Sequence, residues 1–91
     1  MTIWVDADAM PREVKQILVR AAVRRKVDVV MVANHAVDVS NAPRVCSIQV
    51  AQGPDVADDY IAEHAEAKDL VITADIPLAA RIVEKGGLVL Q

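Results

Sequence analysis

Short apolar runs alternate with segments of helical periodicity along this chain of 91 residues. The runs have the length of buried strands, and the segments repeat apolar residues every three or four positions, as amphipathic helices do. Strands are predicted at 3–5, 29–33, 44–50, 70–73 and 88–90, and helices at 11–26, 55–65 and 76–85. The resulting order, β-α-β-β-α-β-α-β, is typical of a mostly parallel sheet with helices on both faces. The pattern therefore predicts an α/β fold.

Residues at the predicted helix ends support these boundaries. Pro11 suits the first turn of the first helix, and Asp55 suits the N-cap of the second. Gly86 and Gly87 form a C-terminal stop for the third helix. The predicted inward face of the first helix carries Val14, Ile17, Leu18, Ala21 and Ala22.

The length favours a single domain over residues 1–91. Of the chain, 54% is hydrophobic and nearly all of that is aliphatic, which suits strands buried on both faces of a parallel sheet. No apolar run reaches ~18 residues and no signal peptide precedes the first strand, so we expect a cytoplasmic protein without a membrane span. The single cysteine, Cys46, cannot form an intramolecular disulfide, and its apolar surroundings predict an inert, buried side chain. The apolar excess favours a surface that is covered by a partner or by a further segment of chain, and we expect a homodimer.

The net charge of −3 argues against a chain that clamps nucleic acid with its whole surface. Six of the ten lysines and arginines nevertheless lie between Arg12 and Lys26, in the first predicted helix. Arg12 and Lys15 in that helix, and Arg81 in the third, are candidates for phosphate contacts. For Arg81, the alternative is a surface ion pair with Glu84 or Asp75. For the first helix, the alternative is a solvated helix face whose cations are favoured near the C-terminus by the helix dipole.

Acidic residues follow the predicted strands at three places. Asp6 and Asp8 come after the first strand, Asp58 and Asp59 lie in the first turn of the second helix, and Asp75 follows the fourth strand. Open α/β sheets bind ligands along the carboxyl edge of their strands, where all three places meet. Carboxylates that converge repel one another unless a proton or a cation intervenes, and Mg²⁺ or Mn²⁺ prefers such oxygens. The acids therefore predict a divalent-metal site.

Such a site can hydrolyse a phosphodiester without a protein nucleophile, because bound ions polarise the phosphate and activate a water. The chain indeed offers no obvious Ser/His or Cys/His arrangement. Each acid alone has another interpretation: Asp8 and Asp75 precede helices and could be N-caps, and acids in a first turn are favoured by the dipole. Asp6 has no capping role.

Several other residues receive simpler interpretations. His35 and His64 lack the spacing of metal ligands and are expected to be structural. Trp4 and Tyr60 are expected in the core, because stacking platforms for bases need exposed rings. Asn34 follows the second strand at the same edge as the acids and is predicted to support them.

Four segments resemble the YaiI/YqxD family of bacterial proteins: residues 3–9, 32–34, 57–61 and 69–81. The resemblance extends over essentially the whole chain. That family is similar to PIN-like domains, which are metal-dependent nucleases. The resemblance implies a three-layer α/β/α fold with a five-stranded sheet in the order 3-2-1-4-5, and a nuclease for which RNA is expected ahead of DNA.

The PIN-like resemblance also implies a ligand set. Asp6 and Asp75 at the ends of the first and fourth strands are the implied metal ligands, with a carboxylate from the second helix, Asp58 or Asp59. Asp59 is the expected third ligand. The remaining acids, Asp8 among them, are expected to complete the shell or orient a water, and Thr73 faces the metal beside Asp75.

The chain departs from the family in two ways. Met10-Pro11 stands where the family commonly has Cys-Pro, so a role for that cysteine is absent here. Family members also continue beyond the last strand of this chain into a Gly- and Arg-rich tail.

Two other function classes stay open. In a phosphohydrolase of the haloacid-dehalogenase type, Asp6 would be the nucleophile and Asp8 the general acid/base. Against this, Met10 replaces the expected threonine, and Lys68 precedes the fourth strand, where it is poorly placed to contact a phosphate. The third class is a non-enzymatic binding module with a degenerate site.

Overall fold

The structure is a computed structural model that describes residues 1–8, 10–37, 39 and 42–90. Ala9, which belongs to the motif at 3–9, thus lies outside the described residues. The elements follow the predicted order: β1 (Thr2–Asp6), α1 (Arg12–Arg25), β2 (Asp28–Ala33), β3 (Val45–Gln49), α2 (Val56–His64), β4 (Leu70–Ile72), α3 (Ile76–Glu84) and β5 (Leu88–Leu90). No helix in these ranges is long and apolar enough to cross a bilayer.

All five strands are parallel and lie in the order β3-β2-β1-β4-β5, which confirms the predicted topology. The central strand is β1, where Val5 pairs with Met31 on one side and with Ile72 on the other. The chain moves from β1 towards β3 and then crosses to β4. The strand order therefore reverses between β1 and β4, and a crevice opens there at the carboxyl edge, where α/β proteins bind ligands.

Side chains alternate between the two faces of the sheet and form two separate clusters. On one face, Ala22 of α1 packs with the β1 and β2 residues Val5, Val29 and Met31. On the other face, α2 and α3 bury Ile61, Leu78 and Ile82 against the sheet, together with Val32 and Val71. This arrangement is a three-layer α/β/α fold, as predicted.

The inward face predicted for α1 is wrong in part. Ala22 is buried, but Ile17 is 58% exposed and Val14 is 38% exposed. Leu18 and Val19 are the α1 residues that pack beside Ala22 against the cluster. The apolar stripe on α1 is therefore wider than the part of the helix that contacts the sheet.

The apolar excess of the composition is visible on the α1 side of β5. Val89 packs beneath α3, so Leu88 and Leu90 point to the opposite face, where they are 58% and 56% exposed. Within the described residues α1 lies over β2 rather than β5. The homodimer expected from the composition remains a prediction.

The prediction that Cys46 is buried is wrong, because this cysteine is exposed. It lies on the edge strand β3, and it points to the face opposite Val45. On that face α2 contacts β1 and β2, and the edge strand is left open. An apolar sequence context did not decide burial, because burial here depends on the position of the strand in the sheet.

The buried carboxylate of Asp69 connects the beginning of β1 to the residues that precede β4 by hydrogen bonds. Asp69 accepts hydrogen bonds from the backbone N–H of Thr2 at 2.9 Å, from Trp4 Nε1 at 3.1 Å and from the backbone N–H of Glu66 at 2.9 Å. Burial acts to raise the pKa of Asp69, but these hydrogen bonds outweigh it and lower the pKa below its usual range. Asp69 is thus a structural acid at the edge opposite the crevice.

The aromatic residues pack where the sequence suggested. Trp4 and Tyr60 are half-buried against the α2–α3 cluster, with ring centroids 6.4 Å apart. The His64 ring stacks on Tyr60 at 4.0 Å, and its Nδ1 lies 2.8 Å from the Tyr60 carbonyl oxygen. These contacts assign structural positions to all three rings.

Candidate metal centre

The crevice at the carboxyl edge is small and strongly acidic. It has a volume of about 150 Å³ and is called the acidic crevice below. Its lining residues are Asp6, Asp8, Asn34, Ala51, Gly53, Asp55, Ala57 and Asp58. Two separate parts of the chain supply its carboxylates: the end of β1 with the residues that follow it, and the beginning of α2. The sequence prediction that acids meet at this edge is therefore correct.

Three carboxylates approach one another closely enough to share a cation. Asp55, Asp58 and Asp75 each offer an oxygen, and these oxygens all lie within 4.8 Å of one another. Oxygens around an octahedral Mg²⁺ at ~2.1 Å would be separated by about 3 Å when adjacent and about 4.2 Å when opposite. The three oxygens, up to 4.8 Å apart, would move closer together around such an ion, and their chemistry suits Mg²⁺ and Mn²⁺.

The charge on Asp58 is strongly disfavoured without a cation. Burial, followed by the negative charges of Asp6 and Asp75 and a hydrogen bond with Asp75, raises the pKa of Asp58 to about 6. At a lower pH the crevice therefore retains a proton between its acids. A divalent cation that displaces this proton would relieve the same repulsion.

Asp6 lies in the same field at the end of β1. Burial raises its pKa, a hydrogen bond from Thr73 opposes the shift, and the charges of Asp8 and Asp75 raise it further. The Thr73 hydroxyl donates to Asp6 Oδ2 at 3.0 Å and accepts from the Asp75 backbone N–H, also at 3.0 Å. Thr73 is buried, so both acids are held by one fixed group.

Asp75 is both a helix cap and a member of the acidic cluster. It is the N-cap of α3, where its Oδ1 accepts a hydrogen bond from the Leu78 backbone N–H at 2.8 Å. A carboxylate has about four acceptor positions, so this cap leaves capacity for a cation. The cap fixes the Asp75 side chain in the position that brings it to Asp58.

Asp8 does not cap α1, since the N-cap of that helix is Pro11. Its Oδ1 instead accepts from the Asn34 backbone N–H at 2.8 Å and lies 3.2 Å from His35 Nδ1. Asn34 thus reaches the crevice, as predicted, and its backbone holds Asp8 in place. His35, for which the sequence predicts a structural role, contacts the Asp8 carboxylate.

The helical acids separate, because neighbouring residues on a helix point about 100° apart. Asp58 faces the crevice, whereas Asp59 is 58% exposed and its Oδ1 accepts from Arg81 Nη1 at 2.8 Å. Asp59 is the third metal ligand expected from the PIN-like resemblance, and Arg81 is a predicted phosphate contact. The structure pairs them with each other outside the crevice and places Asp58 inside it.

Asp55 is the residue that sequence reasoning assigned elsewhere. It occupies the N-cap position of α2, as predicted, but its backbone is left-handed with φ 62° and its side chain makes no cap hydrogen bond. Aspartate tolerates this conformation better than most residues. The carboxylate joins Asp58 and Asp75 instead. The sequence did contain a signal for this role: Asp55 precedes a crossover helix, and such a position lies at the same sheet edge as the other acids.

Arg12 and Lys15 do not line the acidic crevice. They line a larger open cleft of about 760 Å³ between α1 and residues 35–37. This cleft adjoins the crevice through His35 and Asp8.

Comparison with known sequences places this geometry in a family. Residues 4–91 match the family described as "Uncharacterized BCR, YaiI/YqxD family". The chain belongs to the YaiI/YqxD family. A UPF0178 protein of Saccharophagus degradans is 59% identical over 91 residues, which are all of this chain and 60% of the relative. A UPF0178 protein of Geobacter sulfurreducens is 60% identical, with the same coverage of both chains.

A more distant relative extends the comparison. A UPF0178 protein of Legionella pneumophila is 54% identical over 91 residues, which are 62% of its length. The chain therefore spans about 60% of the length of the curated relatives it matches. The search of solved structures found no significant match.

Proposed function

We propose that this YaiI/YqxD chain carries a divalent-metal-dependent phosphodiesterase site, with RNA as the substrate ahead of DNA. The observation that carries the proposal is the convergence of Asp55, Asp58 and Asp75 oxygens within 4.8 Å. The preference for RNA rests on the resemblance to PIN-like domains. Mg²⁺ or Mn²⁺ is the proposed cofactor, because the donors are carboxylate oxygens.

The proposed ligand set joins the three clustered acids to Asp6. Asp55, Asp58 and Asp75 hold the cation, and Asp6, fixed by Thr73, faces the same crevice from β1. Such an ion polarises the phosphate and lowers the pKa of a bound water. Asp8 lies at the outer wall of the crevice, where it is placed to orient that water.

The haloacid-dehalogenase alternative has less support. That chemistry needs a lysine near the phosphate, and the described residues that line the acidic crevice include none. Lys68 precedes β4 and so lies at the amino edge of the sheet, and Lys85 Nζ donates to the carbonyl oxygens of Ala62 and Glu63. An assay with p-nitrophenyl phosphate separates the two classes, because a phosphatase hydrolyses this compound and a nuclease does not.

Calorimetric titration with Mn²⁺ and Mg²⁺ is the primary test. We expect binding by the wild type and its loss in Asp58→Asn and in Asp75→Asn. Asp28→Asn is the matched control, since Asp28 forms an exposed pair with Arg44 at the other edge of the sheet. Asp59→Asn separates the two candidate ligands on α2, and it should bind metal as the wild type does.

The activity is tested next with labelled RNA and the bound metal. Cleavage by the wild type that is lost in Asp58→Asn and kept in Asp28→Asn supports the nuclease. Absence of metal binding at millimolar concentrations in the wild type would contradict it and favour a binding module with a degenerate site.

A further inference from the structure

The cleft between α1 and residues 35–37 is distinguished by its charge. It is called the cationic cleft below, and its lining residues are Arg12, Lys15, Gln16, Val19, Arg20, His35, Ala36 and Val37. Among the described residues that line it are three long cations and a histidine, and none of these described residues is a carboxylate. A wall of this kind concentrates positive potential and attracts anions, even on a chain whose net charge is −3.

The cations form a row along one side of α1. The helical lining residues stand at positions 12, 15, 16, 19 and 20, which is the spacing of a single helix face. From Arg12 to Arg20 the helix rises by about 12 Å, at 1.5 Å per residue. That length exceeds one phosphate group, so the row matches a chain of phosphates rather than a single anion.

Carboxylates do not neutralise this row within the described part of the chain. The ion pairs found there join His35 to Asp8, Arg44 to Asp28 and Arg81 to Asp59. None includes Arg12, Lys15 or Arg20. The acid in the first turn of α1, Glu13, is not among the lining residues. Among the described residues, therefore, no carboxylate competes with an anionic ligand for these cations.

The cationic cleft and the acidic crevice share a wall. His35 lines the cleft, Asp8 lines the crevice, and His35 Nδ1 lies 3.2 Å from Asp8 Oδ1. A ligand longer than the cleft would extend past this pair towards the crevice. The two cavities are thus neighbours, one lined by cations and the other by carboxylates.

We propose that the cationic cleft binds the sugar-phosphate backbone of a single nucleic-acid strand and delivers the next phosphodiester to the acidic crevice. The delivery step rests on the proposed function, whereas binding in the cleft does not, because it needs neither metal nor catalysis. Free phosphate shares the same chemistry, but the length of the row favours the strand.

The test is fluorescence anisotropy with a labelled single-stranded RNA oligonucleotide at low salt, in EDTA so that no cleavage occurs. The double variant Arg12→Gln/Lys15→Gln should weaken binding by about tenfold or more. It should also lower the slope of log K against log salt by about 0.7 for each phosphate that the variant no longer neutralises. Arg24→Gln/Arg25→Gln is the matched control. It removes the same charge from the last turn of the same helix, outside the cleft, and should change affinity by less than about threefold.

Three outcomes would overturn the proposal. The first is that the wild type fails to bind the strand. The second is that both double variants weaken binding equally, because this would indicate diffuse attraction to the whole helix. The third is that inorganic phosphate competes as strongly, per phosphate, as the oligonucleotide, because this would indicate a site for a single anion. Arg12, Arg24 and Arg25 are exposed and Lys15 is half-buried, so a thermal melt of each variant checks that it is folded.

The metal-site variants separate this proposal from the proposed function. Asp58→Asn should bind the strand in EDTA at least as well as the wild type, because it removes a negative charge and leaves the cleft intact. Strand binding without metal binding would support the cleft and contradict the nuclease. Metal binding without strand binding would contradict the cleft alone.

Discussion

The Thr73 hydroxyl donates a hydrogen bond of 3.0 Å to Asp6 Oδ2, and so it joins the ends of two neighbouring strands at the acidic crevice. The same oxygen accepts the Asp75 backbone N–H. A single buried hydroxyl thus sets the position of one carboxylate from β1 and of the residue that caps α3.

Replacing Thr73 by valine should impair metal binding without changing any ligand. The variant keeps the shape of the side chain but leaves the Asp75 N–H without its acceptor and Asp6 without its donor. We expect metal affinity to fall by about tenfold and the free energy of unfolding to fall by about 1–3 kcal/mol. Thr73→Ser, which keeps the hydroxyl, should retain most of both. Calorimetry and denaturant unfolding measure the two effects, and unchanged metal affinity in Thr73→Val would contradict the positioning role.

Replacing Asp6 by asparagine should stabilise the metal-free protein and weaken metal binding. Burial and the charges of Asp8 and Asp75 disfavour ionised Asp6, and the amide removes that charge while its oxygen still accepts from Thr73. The melting temperature in EDTA should therefore rise by a few degrees, whereas Asp28→Asn should leave it nearly unchanged. Metal affinity equal to that of the wild type would remove Asp6 from the proposed ligand set.

Asp58 should make the stability of the metal-free protein depend on pH. Its pKa is about 6 in the folded state and near the ordinary 3.8 when unfolded. Between these values the folded state holds the proton and the unfolded state does not, so stability falls as pH rises through this window. Denaturant unfolding in EDTA should show higher stability at about pH 5 than at about pH 7, and the difference should shrink in Asp58→Asn. An equal difference in that variant would refute the assignment to Asp58.

Removal of the Asp69 carboxylate should destabilise the fold without affecting the crevice. Asp69→Ala leaves two backbone N–H groups and the Trp4 indole N–H without their acceptor. Each buried donor left unpaired costs about 1–3 kcal/mol, and partial access to water reduces the sum to about 3 kcal/mol. Because hydrogen bonding lowers the pKa of Asp69, its contribution is present at neutral pH and is lost as pH falls below about 3.8. Unfolding by denaturant measures the loss, and metal affinity in the folded fraction should be unchanged.

The type and order of the secondary-structure elements could be predicted from local pattern. Apolar runs such as Leu70–Ile72 have the length and hydrophobicity of strands buried on both faces, and a parallel sheet requires crossovers such as α2 and α3. The carboxyl edge was predictable for the same reason. Asp6 and Asp75 come directly after parallel strands, or nearly so, and such positions always meet at one edge.

Tertiary structure decided which side chains at that edge meet. Asp58 and Asp59 are equivalent in the sequence, and only the rotation of α2 against the sheet turns one to the crevice and the other to Arg81. Asp55 has the sequence signature of a helix cap, yet its left-handed backbone frees the carboxylate for the cluster. Likewise, the apolar stripe of α1 does not say how much of it the sheet covers, and Cys46 is exposed because its strand lies at the edge. Sequence determines local conformation and strand ends because these depend on neighbouring residues, whereas the facing of side chains depends on how whole elements pack.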